Sequence, residues 1–203
     1  MKLYNMKLNI DFFGKETFKK YLYNHQPYQI IIVLFGIILT YKTISPFYST
    51  FLIFGLGFYS YFMHVVLHMI PEKYNPHLLI HHNINKPDKN IFHNIKSIIL
   101  DICCFFILYY FQILINYELF PPILILYYSI IYITVNNINY SILHLGNYSH
   151  YLDKTTNFGP DPVDHLLGTN NNETFEHMYH YILNIIFAFL VTVVVFCDKN
   201  DIL

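Results

Sequence analysis

Apolar residues gather along this chain in five blocks, at about 28–44, 47–69, 97–118, 120–143 and 181–197. Each is close to the roughly 17–25 residues that cross a bilayer as a helix, so the pattern predicts an all-α integral membrane fold. The first two blocks are separated only by the stretch Lys42 to Pro46, and the third and fourth by Glu118 to Pro122. Links that short predict two transmembrane helical hairpins. The block 181–197 is left as a fifth membrane helix or a helix lying against the bundle.

Two hairpins with their tips on one side place 1–27, 70–96 and about 144–180 together on the other. Lys2, Lys7, Lys15, Lys19, Lys20, Lys73, Lys86, Lys89, Lys96 and Lys154 fall there, against Lys42 at a tip. An excess of positive charge marks the cytoplasmic side. Residues 1–27 have no apolar core followed by a small-residue cleavage site, so no cleavable signal peptide is predicted. The segment 10–24 reads as an interfacial helix or as a loosely ordered tail. With no internal repeat or low-complexity linker, 1–203 reads as a single membrane domain. Segments 64–96 and 144–180 form its histidine-rich cap.

Composition agrees with this reading. Of 203 residues, 55% are hydrophobic and only 12% charged, against the roughly 25% charge of soluble domains. A net charge of −1 leaves no basic field for nucleic acid. Cys103, Cys104 and Cys197 lie within apolar runs and offer neither a disulfide framework nor a metal-binding pair. Short spans suit a thin bilayer such as that of the endoplasmic reticulum.

The chemistry sits in the histidines. Of the 12, all but His25 lie between His64 and His180, on the predicted cytoplasmic side. His64 and His68 are four apart at the end of the second block, so a helix presents both on one face. His77, His81 and His82 follow at once, then His144 and His150, and finally His177 and His180. One ion needs three or four protein ligands, so nine imidazoles suit two ions. Isolated members such as His25 and His93 read as ordinary structural residues. Zinc needs no such excess, whereas attack by dioxygen on an unactivated C–H bond suits two redox metals with open positions.

The ordered set resembles the fatty acid hydroxylase and sterol desaturase superfamily. That family carries HxxxH at the end of a span, HxxHH shortly after, a hairpin, then a further histidine group. An Asn-Tyr/Phe-Gly and a Trp-Asp-Arg-Leu-Phe-Gly-Thr signature follow. This chain has Asn157-Phe158-Gly159-Pro160 and Val163-Asp164-His165-Leu166-Leu167-Gly168-Thr169. The similar region runs from about His64 to His180. The second group is one residue longer, as HxxxHH, and at the third only His150 matches, with His144 six residues earlier. His177 and His180 are expected to fold back and supply the missing imidazoles.

The resemblance implies two iron ions, with zinc as a substitute, and dioxygen as co-substrate. It implies hydroxylation, desaturation or methyl oxidation of a membrane lipid such as a sterol or acyl chain. Electrons would come from cytochrome b5 or a similar donor, since no nucleotide-binding GxGxxG occurs. Asp153, Asp164 and His165 are candidates to steady the ligands, the two carboxylates either orienting a ligand ring or capping a helix. Gln112 and Asp101 lie within the third block, where polar groups are functional candidates by default, Asp101 being near enough to the cap end to reach water. Asn136, Asn137 and Asn139 either line the site or satisfy backbone where the helix leaves the lipid. Two other classes fit the same residues: a membrane metal-binding or transport protein, and a non-catalytic scaffold derived from the family.

Overall fold

The computed structural model describes residues 26–80, 91–134, 158–159, 161–169 and 179–199. All regular structure among them is helical: α1 (Gln26–Thr40), α2 (Pro46–Met69), a 3-10 turn (Glu72–Tyr74), α3 (Pro76–Ile80), α4 (Ile91–Leu114), α5 (Pro122–Ile133), α6 (Asp161–Leu167) and α7 (Tyr179–Lys199). Each of the five longer helices overlaps one of the five apolar blocks, residues 135–143 of the fourth lying outside the described residues. Residues 10–24 and Asn136, Asn137 and Asn139 lie outside the described residues.

Local chemistry sets the helix limits. Ser45 caps α2, its hydroxyl accepting from Tyr48 N at 3.2 Å, and Pro46 stands at the first helical position, where it lacks an N–H that would be unpaired anyway. Asn116 takes the left-handed conformation after α4 (φ 50°), and Tyr117 N reaches back to Gln112 O at 3.1 Å. Asparagine tolerates that backbone better than most residues, and the turn stops the helix.

Helix α1 packs on α2 and α4 on α5, each pair joined by its short link, and α5 also touches α1 and α2. The central core unites Leu52, Ile53 and Leu56 of α2, Phe105 and Leu108 of α4, and Leu124 and Ile125 of α5. Tyr59 of α2 donates to Cys104 O of α4 at 2.6 Å. Helix α7 is part of the bundle, packed against α1 and α5. It runs parallel to α1: Phe189 meets Phe35, and Thr192, Val195 and Phe196 share a shallow groove with Ile38, Leu39 and Lys42. Its C-terminal end therefore lies beside the α1–α2 turn, at the end of the bundle remote from His64.

Among the described residues two helices, Pro46–Met69 and the Ile95–Leu114 part of α4, are long and apolar enough to cross a membrane; α1, α5 and α7 contribute shorter apolar stretches. Helix α4 turns Ile99, Ile102, Phe106, Tyr110 and Ile113 outward. Large apolar side chains in such continuous exposure mark a surface that meets lipid or another protein.

The buried polar groups at the hairpin end are satisfied by nearby backbone and side chains. Thr40 Oγ1 sits 3.0 Å from Gly36 O and 2.9 Å from Ser49 Oγ, joining α1 to α2. Gln112, a functional candidate in the sequence, spans the α4–α5 link: its Nε2 donates to Phe120 O at 3.0 Å and its Oε1 accepts from Phe120 N at 2.6 Å. Its buried amide thus completes both backbone groups of one residue. This is a structural use.

Candidate metal centre

The last turns of α2 carry the site. Its buried stripe, Ile53, Leu56, Ser60, Tyr61, His64, Val65 and His68, follows helical spacing, so the two histidines project from the face that packs inward. The chain then reverses through Ile70 and Pro71, and Asn75 fixes how it returns. Asn75 is fully buried. Its Nδ2 donates to Leu67 O and to Ile70 O, while its Oδ1 accepts from Leu78 N at 3.2 Å. One side chain thereby closes the end of α2 and caps α3, where Pro76 and His77 follow it. His77 is swung back over His64 and His68.

Three imidazoles converge there. His64 Nε2 lies 2.9 Å from His77 Nε2, and His77 Nε2 lies 3.3 Å from His68 Nε2. All three rings are buried, and one ligand atom from each falls within 4.8 Å of the others. Three nitrogens bound to one ion at about 2.0–2.1 Å are separated by about 3.4 Å in tetrahedral and about 2.9 Å in octahedral geometry. The two observed spacings match that range. Neutral imidazole has one N–H and one lone pair. Nitrogens this close share N–H···N hydrogen bonds when one ring carries its hydrogen on Nε2, and with their lone pairs turned inward they can ligate a cation. The donor set therefore fits a divalent transition metal.

The protonation state of His64 follows from its other nitrogen. Nδ1 is 2.7 Å from Phe158 O, and a carbonyl can only accept, so Nδ1 carries the hydrogen and Nε2 presents its lone pair to the cluster. The Phe158 ring stands edge-on to both His64 and His68, at 5.9 and 5.4 Å between centroids. Phe158 is fully buried and joins Tyr61, Val65, Val163 and Leu167 in a small core between α2 and α6.

Helix α6 holds Phe158 in place. The Asp164 carboxylate accepts from Phe158 N at 3.0 Å, Gly159 N at 2.8 Å and Thr169 Oγ1 at 2.7 Å. Gly168 takes a left-handed turn (φ 70°), and Thr169 N returns to Asp164 O at 2.9 Å, a glycine-closed helix end. Gly159 admits no side chain: a Cβ there would stand 2.9 Å from Tyr61 Cβ. The paired signatures around Phe158-Gly159 and Asp164 to Thr169 thus form one unit that aims a carbonyl at His64.

Of the residues singled out in the sequence, the structure brings together His64, His68 and His77. Asp164 and His165, both buried, lie on α6 against α2. The ring-orienting partner of His64 is the Phe158 carbonyl, and Asp164 holds that carbonyl's peptide. His81, His82, His144, His150, His177 and Asp153 lie outside the described residues, as does the side chain of His180 in the first turn of α7. The sequence reading overlooked Asn75. Its signal was Asn-Pro ahead of His-Leu-Leu, a capping residue followed by proline at the first helical position. Set against known proteins, the chain matches no family model, no curated protein sequence and no solved structure.

Proposed function

We propose that this chain is a membrane-embedded, metal-dependent oxidase that uses dioxygen to hydroxylate, desaturate or oxidise a methyl group of a lipid. The carrying observation is the three-imidazole cluster, with His64 Nε2 2.9 Å from His77 Nε2 and its Nδ1–H held by Phe158 O. Three imidazoles leave coordination positions for other ligands, as catalytic sites require and closed structural sites do not.

His64, His68 and His77 would hold one iron ion. A second would draw on His81, His82, His144, His150, His177 and His180. When bound, iron supplies the redox chemistry that activates dioxygen, with electrons from cytochrome b5 or a similar donor. The protein's own part is to fix the tautomer and direction of each imidazole, keep water from the rings, and present the substrate carbon. Outward-facing apolar helices beside the cluster suit a substrate that arrives through the bilayer. We place the chain in the endoplasmic reticulum membrane with the cluster on the cytoplasmic side.

The second reading is a membrane protein that binds metal without catalysis. It is favoured by the departure of the third histidine group from the family pattern, and a redox-inert ion fits three imidazoles equally well. Metal analysis of protein purified from a membrane host, with lipid profiling of that host, tests the two. Redox-active iron near two ions per chain and a new oxygenated or desaturated lipid support the oxidase. Zinc with an unchanged lipid profile overturns it in favour of the binding protein.

A further inference from the structure

The carbonyl that accepts from His64 Nδ1 and the N–H that donates to Asp164 Oδ2 belong to one amide, the peptide joining Phe158 to Gly159. An anion, a peptide and an imidazole therefore lie in series, through contacts of 2.8 and 2.7 Å, and the far nitrogen of the imidazole points into the three-histidine cluster. We propose that Asp164 is a positioning residue of the metal centre that acts on His64 through this peptide, as a carboxylate–amide–histidine relay.

The physics is that of a carboxylate bonded directly to a ligand histidine, with one amide inserted. A carboxylate accepting an amide N–H draws electron density toward the carbonyl oxygen, and hydrogen bonds in a chain strengthen one another. The Phe158 carbonyl thus becomes a stronger acceptor. Its pull on Nδ1–H holds the tautomer and raises the basicity of Nε2, the ligating atom. The other carboxylate oxygen anchors the arrangement through Phe158 N and Thr169 Oγ1. Asp164 is 2% exposed. A carboxylate is stable at such burial only when well supplied with donors, and here they include the two amides that frame the relay.

The inference rests on the metal-centre reading, so its test includes a measurement that needs no metal. Nitrogen-15 spectra of histidine-labelled, metal-free protein read the His64 tautomer, and titration with Co(II) reads the affinity and the visible spectrum. In the wild type, His64 is expected as the Nδ1–H tautomer. Asp164→Asn, which puts an NH2 group against an amide N–H, is expected to mix the tautomers, shift the Co(II) bands and weaken binding by about 10- to 100-fold. Gln112→Ala, at the far end of the bundle, is expected to lower thermal stability while leaving Co(II) affinity and the His64 signals as in the wild type.

An Asp164→Asn protein of native helix content that keeps wild-type tautomer and affinity overturns the relay. So does a Gln112→Ala protein that loses as much affinity as Asp164→Asn, because affinity would then follow the stability of the fold and not the carboxylate. A tautomer shift in Asp164→Asn without Co(II) binding in any variant upholds the relay and overturns the metal centre.

Discussion

The two ends of the helical bundle bury polar side chains in opposite ways. At the hairpin end, Thr40, Ser49 and Gln112 are answered within the chain, hydroxyl to carbonyl and amide to backbone. At the cap end, His64, His68 and His77 turn their Nε2 atoms toward one another. An arrangement that completes the backbone stabilises the fold. One that brings three imidazole nitrogens within 4.8 Å of one another could hold a metal ion. Burial does not distinguish the two sets, which are equally sealed; the chemistry of their partners does.

Mutation sharpens that contrast. His77→Ala should abolish binding at the described site while circular dichroism shows native helix content, since the ring lies between the other two. Gln112→Ala should leave binding intact. Retained binding after His77→Ala would sink the distinction.

Acid should produce the next largest effect. Imidazole ligates only when neutral, so protons compete with the metal as pH falls. Affinity should drop by about tenfold per pH unit for each histidine that must release a proton. Binding is thus weakened progressively by acid, as metal-release titrations would reveal. The hairpin end, which rests on neutral hydroxyls and amides, should show no matching change.

Gly159→Ala drives a methyl group into Tyr61 and displaces the Phe158 carbonyl. Overpacking of this kind costs about 1–3 kcal/mol. Thermal denaturation should show that loss, and metal titration a weaker site, because the same peptide orients His64. Gln112→Ala strands the N–H and carbonyl of Phe120 at about 1–3 kcal/mol. It should lower thermal stability with no change in metal affinity. Thr40→Val removes one neutral hydrogen-bonding hydroxyl between α1 and α2, worth about 1 kcal/mol. That variant should show the smallest shift in melting temperature and an unaltered site.

Much of this organisation was legible in the residues. The five apolar blocks became the five longer helices, because runs of that length satisfy their backbone most simply as helix. The spacing of His64 and His68 placed both on one face of α2, since four residues are close to one helical turn. Proline and asparagine marked where helices begin and end. Asp164 was legible as a candidate to steady a ligand. Its route to the ligand was not, because nothing in the spacing of Phe158 and Asp164 reveals that one carboxylate binds two successive amides. Gln112 looked like a buried functional group, and only its distance to Phe120 gave it a structural use.

By itself the sequence determined the helical class, the positions of the long helices and the pool of imidazoles, all of which depend on local periodicity and residue type. Tertiary structure decided which histidines meet, that Asn75 turns His77 back onto α2, and that α6 aims a carbonyl at His64. These depend on contacts between residues as far apart as His64 and Phe158, and such contacts are set by the packing of whole helices and not by any pattern along the chain.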